Sequence, residues 1–327
     1  MNKYKNYYGI DISKDVFDVM DANGKHKQYA NSLPGFEKFF KTMDKNSCAV
    51  MEATGVYQVQ LANFLSSKKC FVSVVNPLVI KRFIQMNLRR IKTDKADAEM
   101  ICKFAQQHEL EQYKPAAIYV QECRIISEDI DLLIKSRTMF KSRLHAMKHK
   151  VANPRKILIS SISRSIKNLT KEILLLEKEL KRLIQKHDGD LYSRLQTIPG
   201  IGKSTAMFMI VLSDSFKKFD TAKQFTCFVG LSPVEKRSGS SIRGRSSISK
   251  QGNSKIRNLL FMCSFTASRY NKACRELYER IVAKGKSKKL ALIAVANKLI
   301  KQAFAIAKSG LIYDEKFVSV KPSVEAN

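Results

Sequence analysis

The sequence predicts three successive regions: an α/β layer domain, an α-helical coiled-coil linker and a mainly α C-terminal domain. Strand and helix patterns alternate through the N-terminal third, as a layered α/β domain requires. Apolar residues repeat at 4,3 spacing through the middle, the signature of helices with a seam. Helical patterns resume after a Gly- and Ser-rich segment, within a stretch (231–300) that holds 16 basic and only 3 acidic side chains. The regions run 1–112, 113–190 and 191–310, with a tail at 311–327. A chain of 327 residues has room for two or three domains at roughly 100–200 residues each.

The first region opens with a strand around Tyr7, Tyr8 and Ile10 and a second around Val16, Phe17 and Val19. Asn23-Gly24 is a hairpin signal, so a third strand follows it. Residues 34–43 (PGFEKFFKTM) read as a helix and 48–55 (CAVMEATG) as an apolar strand entering a polar turn. A helix over 56–68, a buried strand over 71–77 (FVSVVNP) stopped by Pro77, and a helix over 92–107 complete the region. In the middle, Ile126, Ile130, Leu133, Phe140, Leu144, Met147 and Val151 keep 4,3 spacing, with Arg137 in one slot. Asn153-Pro154 breaks the pattern. Ile162, Ile166, Leu169, Ile173, Leu176, Leu180 and Leu183 then repeat it without a gap. The two seams can meet within one chain or pair with another protomer, and self-association into a dimer or tetramer is expected. Beyond Leu191 come a helix end, a Pro-Gly-Ile-Gly turn and a new helix over 195–212, then a loop over 238–253. Helices follow from near Lys255 to about Ala307, with an interruption at Lys284-Gly285.

Charge narrows the function. Lys and Arg number 59 against 29 Asp and Glu, a net 59 − 29 = +30. Such an excess on a chain with 44% hydrophobic residues points to a folded partner of a polyanion, DNA or RNA first of all. Residues 1–100 carry 16 basic and 10 acidic side chains, so the first region keeps acids that the 231–300 stretch almost lacks. No apolar run approaches the roughly 18 residues of a membrane span, and no leader pattern is present. The seven cysteines form no CxxC pair. A reducing, cytoplasmic setting is expected, bacterial and nucleoid-associated when the protein acts.

Four acids stand out. Asp11 and Glu52 each end a predicted strand, and Asp94 and Asp97, three apart, share one face of a predicted helix. Such a set can converge above a sheet, where phosphoryl transfer on DNA needs carboxylates to hold divalent ions against the attacking and leaving oxygens. Magnesium suits oxygen donors and keeps water ligands. The same positions also suit helix N-terminal acids complementing the helix dipole, with Glu52 a surface residue.

A second cluster lies in S-G-S-S-I-R-G-R-S-S-I-S-K-Q-G-N-S-K-I-R, which packs seven serines among Arg243, Arg245, Lys250, Lys255 and Arg257. It reads as a flexible, phosphate-binding linker, or as the carrier of a nucleophilic serine whose ester would retain the phosphodiester energy. Arg243 and Arg245 would then stabilise transition-state charge. Ile198-Pro199-Gly200-Ile201-Gly202 with Lys203 resembles the hairpin of helix-hairpin-helix binders, where backbone N–H groups grip phosphate; a plain inter-helix turn has the same composition. His145 and His149 are four apart, the spacing of a zinc pair, but lie in a basic helix face without a third ligand nearby.

The order G-I-D-I-S-K, E-A-T-G-V-Y and K-T-D-K-A-D-A resembles the DEDD signature of the RuvC-like (RNase H-like) domain in Piv/MooV invertases and insertion-sequence one-ten transposases. V-G-L-S-P, S-G-S-S-I-R-G, S-K-Q-G-N and K-I-R-N-L-L are similar to the C-terminal transposase domain of the same family. The resemblance implies that Asp11, Glu52, Asp94 and Asp97 hold Mg2+ and that Ser238 attacks a DNA phosphate, leaving a serine–DNA ester. Asp15 and Asp18 do not match the motif. The resemblance also implies donor and target DNA as substrates and a structured non-coding guide RNA, while the separation of tetrad and serine along the sequence permits a composite site with the two from different protomers. Lys203, Arg243, Arg245, Lys250, Asn253, Lys255 and Arg257 are the expected nucleic-acid contacts. The expected function is therefore an insertion-sequence transposase or site-specific recombinase. A Holliday-junction-type nuclease using water would need the tetrad without Ser238, and a non-catalytic nucleic-acid scaffold would need neither.

Overall fold

A computed structural model describes residues 4–53, 55–88, 93–151, 153–234, 237–238, 242–243 and 247–316, the two pairs near 240 as backbone only. The chain divides into two compact units, Met1–Ala116 and Ala117–Asn327.

The first unit is a five-stranded sheet between two helical layers. Its strands are β1 (Asn6–Ile12), β2 (Val16–Asp21), β3 (His26–Ala30), β4 (Ser47–Glu52) and β5 (Phe71–Val75), in the order β3-β2-β1-β4-β5. The first three form an antiparallel meander, while β4 and β5 run parallel to β1. Gly24 takes φ +81° in the β2–β3 turn, where the Asp21 carboxylate accepts from the backbone N–H of Asn23 and Lys25 at 2.9 and 2.8 Å. Strand side chains alternate between faces. Ile10, Ile12, Phe17, Val19, Ala49 and Met51 are buried with α1 (Leu33–Phe40) and α2 (Gln58–Ser67). Tyr7, Met20, Cys48 and Val50 face α3 (Pro77–Met86) and α4 (Asp94–Gln107).

Helix α3 corrects the expectation that Pro77 only stops a strand. Proline at N1 loses nothing, because that N–H has no intrahelical partner. Asn76 caps the helix, its side chain accepting from Leu78 N at 2.9 Å.

The second unit is mainly helical. Helices α5 (Ile118–Lys150) and α6 (Lys156–Gln196) pack on one another as a hairpin within the chain. The predicted seam residues from Ile126 to Met147 and from Ile162 to Leu183 are buried or half-buried, whereas Val151 at the end of the first seam is exposed. The structure thus shows a helical hairpin in the same unit as the C-terminal helices, not a separate coiled-coil region, and α6 runs past residue 190 with a break in helical geometry at Asp188. There Tyr119 donates to the Asp188 carboxylate at 2.7 Å and stacks on His187.

Helix α7 (Lys203–Ser213), buried from Thr205 to Val211, packs on α5, α6 and α9 (Ser254–Tyr270) and shares one apolar core with α8 (Ala222–Val229) and α11 (Lys288–Ser309). Among the described residues α11 alone is long and apolar enough to cross a membrane, but Ala291, Val295, Leu299, Ile300 and Ala303 are buried in this core. Between α9 and α10 (Lys272–Ala283), the fully buried Asn271 exchanges hydrogen bonds with Gln302 and accepts from Tyr313 Oη at 3.1 Å.

The segment expected to be a loop from 238 onward contains paired strands. Pro233–Val234 (β6) pairs antiparallel with Ser247–Ile248 (β9), and Arg237–Ser238 (β7) with Ile242–Arg243 (β8). Next to the β6–β9 ladder, Ser249 N donates to Ser232 O (3.0 Å) and Asn253 N to Phe228 O (3.2 Å). A composition of Ser, Gly and Arg carries little strand propensity, so the pairing is legible only once both arms are seen together.

A carboxylate cluster as the candidate active site

Asp11 is placed by the alternation of β1. Tyr7 and Gly9 face α4, so Asp11 does too, at the C-terminal end of the strand. Gly9 lets the helix come this close: a Cβ there would lie 2.2 Å from both Ala98 O and Cys102 N. Cys102 Sγ donates to Tyr7 O at 3.4 Å. Helix α4 therefore crosses β1 with its later residues over Tyr7 and Gly9 and its first turn, with Asp94 and Asp97, over Asp11.

That first turn is capped by Thr93, whose hydroxyl accepts from Ala96 N at 3.2 Å. Acidic side chains here also complement the partial positive charge of the helix end, so the dipole reading and the convergence reading describe the same residues. Glu52 ends β4, on the face of Cys48 and Val50. Since Ile10 pairs with Met51, the next ladder step brings Glu52 beside Asp11. Carboxyl ends of parallel strands are where open α/β sheets place their sites.

Electrostatics reports the same convergence. The Asp11 carboxyl is pushed up to about 6, first by burial and then by the negative charges of Asp97, Asp94, Glu52 and Asp18. The other three motif acids therefore act on Asp11, and Asp18 joins them. Asp18 matches no motif in the sequence. It stands directly opposite Asp11 in the β1–β2 ladder. Alternation puts Asp18 on the β2 face opposite Phe17 and Val19, and the β1–β2 register sets it against Asp11.

Among the described residues no three His, Cys, Asp or Glu side chains are drawn together tightly enough to form a cation cage. The donor set is nonetheless all carboxylate, the kind that suits a hard divalent ion, and the mutual repulsion felt at Asp11 is what a cation would relieve. His145 and His149 touch through their Nε2 atoms at 3.2 Å on an exposed helix face, with no third ligand among the described residues.

The second unit holds the other predicted residues. Ser238 closes β7, its backbone paired with Ile242, and Arg243 closes β8 opposite Arg237; Arg245 lies outside the described residues. Lys203 is exposed at the start of α7. Its preceding turn presses on α9, where Gly200 (φ +105°) leaves 2.7 Å between a would-be Cβ and Ala267 Cβ. Lys250 is exposed beyond the hairpin.

Three candidates have internal partners. The Asn253 side chain caps α9, accepting from Lys255 N and Ile256 N at 3.0 and 3.2 Å. The Lys255 ammonium pairs with Asp131 and lies 3.3 Å from the Phe208 ring centroid, where burial lowers its pKa. Arg257 donates to Val229 O at 2.9 Å. Their first role is to hold α9 to its neighbours.

Known proteins match both halves. A family model described as a transposase, of the DEDD type in the IS110 group, matches residues 8–149, and one described as the transposase IS116/IS110/IS902 family matches residues 192–279. The pilin gene-inverting protein of Moraxella lacunata is 29% identical over 95% of this chain and 98% of its own length. The transposase for insertion sequence element IS1111A of Coxiella burnetii is 24% identical over 89% of this chain and 86% of its own. One model covers the carboxylates and the other the hairpin that carries Ser238, in that order along the sequence, and the chain belongs to the IS110 family of DEDD transposases.

Proposed function

We propose that this protein cuts and rejoins DNA as an insertion-sequence transposase or site-specific invertase, using Ser238 as the nucleophile and Asp11, Glu52, Asp94 and Asp97 as the holders of Mg2+. The observation that carries the reading is the convergence of those acids on Asp11, under the first turn of α4 and at the carboxyl ends of two parallel strands. A divalent ion bound there would neutralise charge on the attacked phosphate. The chain's own residues would do the rest. Ser238 Oγ forms a bond to phosphorus as one P–O bond of the strand breaks, and the freed deoxyribose oxygen takes up a proton as the hydroxyl gives its own up. The serine ester keeps the phosphodiester energy, so the strand can be passed to a new partner without ATP.

Ser238 closes a two-residue strand paired with Ile242–Arg243, outside the buried helical core. Arg243 and Arg245, further along the sequence, would bind flanking phosphates, with Lys203 and Lys250 as further contacts. The net charge of +30 fits simultaneous binding of donor DNA, target DNA and a structured guide RNA, with the sequence choice made by base pairing and the protein reading backbone and shape. The working form on this reading is a homodimer or homotetramer.

Trapping a protein–DNA adduct tests the proposal. Labelled DNA should give a protease-sensitive shift on a denaturing gel with the parent protein and none with Ser238→Ala, whereas Ser240→Ala and Ser241→Ala keep at least part of it. Cleavage by the parent with no adduct would show water to be the attacker, making the protein a junction-type nuclease. Binding with neither cleavage nor adduct would make it a scaffold.

A further inference from the structure

Asp18 is an unexpected residue in its surroundings. It is 4% exposed, lies in a strand otherwise filled by Phe17, Val19 and Met20, and carries a carboxylate. A buried acid is expensive, and an apolar side chain would serve a β2–β3 hairpin as well or better. Asp18 is instead fully engaged from the adjoining strand: His26 Nε2 lies 2.7 Å from one oxygen, and Gln28 Nε2 donates to the two oxygens at 3.3 and 3.2 Å. Gln28 is its direct ladder partner, and His26 sits two residues along β3 on the same face. Its other ladder neighbour, on β1, is Asp11. Directly opposed antiparallel residues hold their Cβ atoms about 4.5–5.5 Å apart, and like charges there are unfavourable.

We propose that Asp18 is a positioning residue for the carboxylate site: clamped by His26 and Gln28, it sets a fixed negative charge behind Asp11 that turns the Asp11 carboxylate toward the first turn of α4 and strengthens the hold on a divalent cation. The inference rests on the reading of Asp11, Glu52, Asp94 and Asp97 as the cation site. With its oxygens occupied by donors from β3, Asp18 acts through Asp11 and not as a ligand. Cation affinity rises with the number of carboxylates around a site, and residues behind the ligands commonly govern affinity by on the order of ten- to a hundredfold. Asp18 is also among the charges that oppose ionisation of Asp11, as close approach requires.

The test is Mn2+ uptake by the full-length protein, followed by the electron paramagnetic resonance of the free ion, with melting measured in parallel without metal. The parent should bind Mn2+, and Asp11→Asn should not. Asp18→Asn should fold and bind on the order of tenfold more weakly. His26→Ala, which unfastens Asp18, should also weaken binding, whereas His26→Gln, which still offers an N–H donor, should restore it. Should Asp18→Asn prove unstable, the His26 pair gives the same answer without touching an acid. A parent that takes up no Mn2+ would remove the cation site itself. A parent that binds, with unchanged affinity in Asp18→Asn and His26→Ala, would overturn the positioning role alone and leave Asp18 as a hairpin clamp.

Discussion

Replacing Asp11 by Asn should stabilise the metal-free protein while destroying its catalysis. The carboxyl is raised from 3.8 to about 6 by burial and by four neighbouring acids. At about 1.4 kcal/mol per pH unit, that rise corresponds to roughly 3 kcal/mol held against the folded state when Asp11 is ionised. The side chain is only half-buried, and solvent screening reduces the figure to about 1–1.5 kcal/mol. The sign follows from proton counting. Between pH 4 and 6 the folded protein holds a proton that the unfolded chain has lost, so parent stability falls as pH rises through that window and stays lower above it. Asn cannot ionise and shows no such fall. In EDTA the melting temperature of Asp11→Asn should match the parent near pH 4 and exceed it by about 3–6 °C at pH 7.5, read by circular dichroism or differential scanning calorimetry. Added Mg2+ should narrow the gap by relieving the repulsion in the parent alone. A variant no more stable than the parent at pH 7.5, or a difference independent of pH, would refute the claim that the acids converge on Asp11.

Gly9→Ala should cost about 3 kcal/mol or more, because its methyl would overlap the backbone of α4 at 2.2 Å; an unchanged denaturation midpoint would show that α4 can lift off the strand. Asn271→Ala should lower stability by about 2–3 kcal/mol, leaving Gln302 and Tyr313 without a buried partner, as urea denaturation would register. Lys255→Ala should lower the melting temperature while keeping the salt dependence of DNA binding, because its ammonium is engaged by Asp131 and Phe208. Arg243→Ala and Arg245→Ala should do the reverse, each flattening the slope of log affinity against log salt by about one. A slope altered by Lys255→Ala and unmoved by both arginine variants would invert the assignment.

Apart from α3, the strands and helices of the first unit were legible in the sequence because each carries its own period: alternation at Tyr7–Ile12, a glycine turn at Gly24, and helical spacing from Asp94. The spacing of Asp94 and Asp97 also announced a shared helical face, and heptads in α5 and α6 announced which faces would be covered. Motif order along the chain carried the family. Helix α3 was hidden because a proline reads alike at the end of a strand and at N1 of a helix, and only the backbone path after Asn76 separates the two. The hairpin around Ser238 was hidden because its arms, rich in Ser and Arg, gain pairing from each other and not from propensity. The partners of Lys255 and Arg257 were out of reach as well: a cation in a basic run looks solvent-facing until Asp131 and Phe208, more than forty residues upstream of Lys255, are packed beneath it. Asp18 needed register above all. Local sequence determines which residues can form a strand and which faces they offer, because those depend on near neighbours and period. Whether Asp18 meets Asp11, and what then fastens it, depends on the alignment of three strands, and that is decided by long-range burial in the assembled sheet.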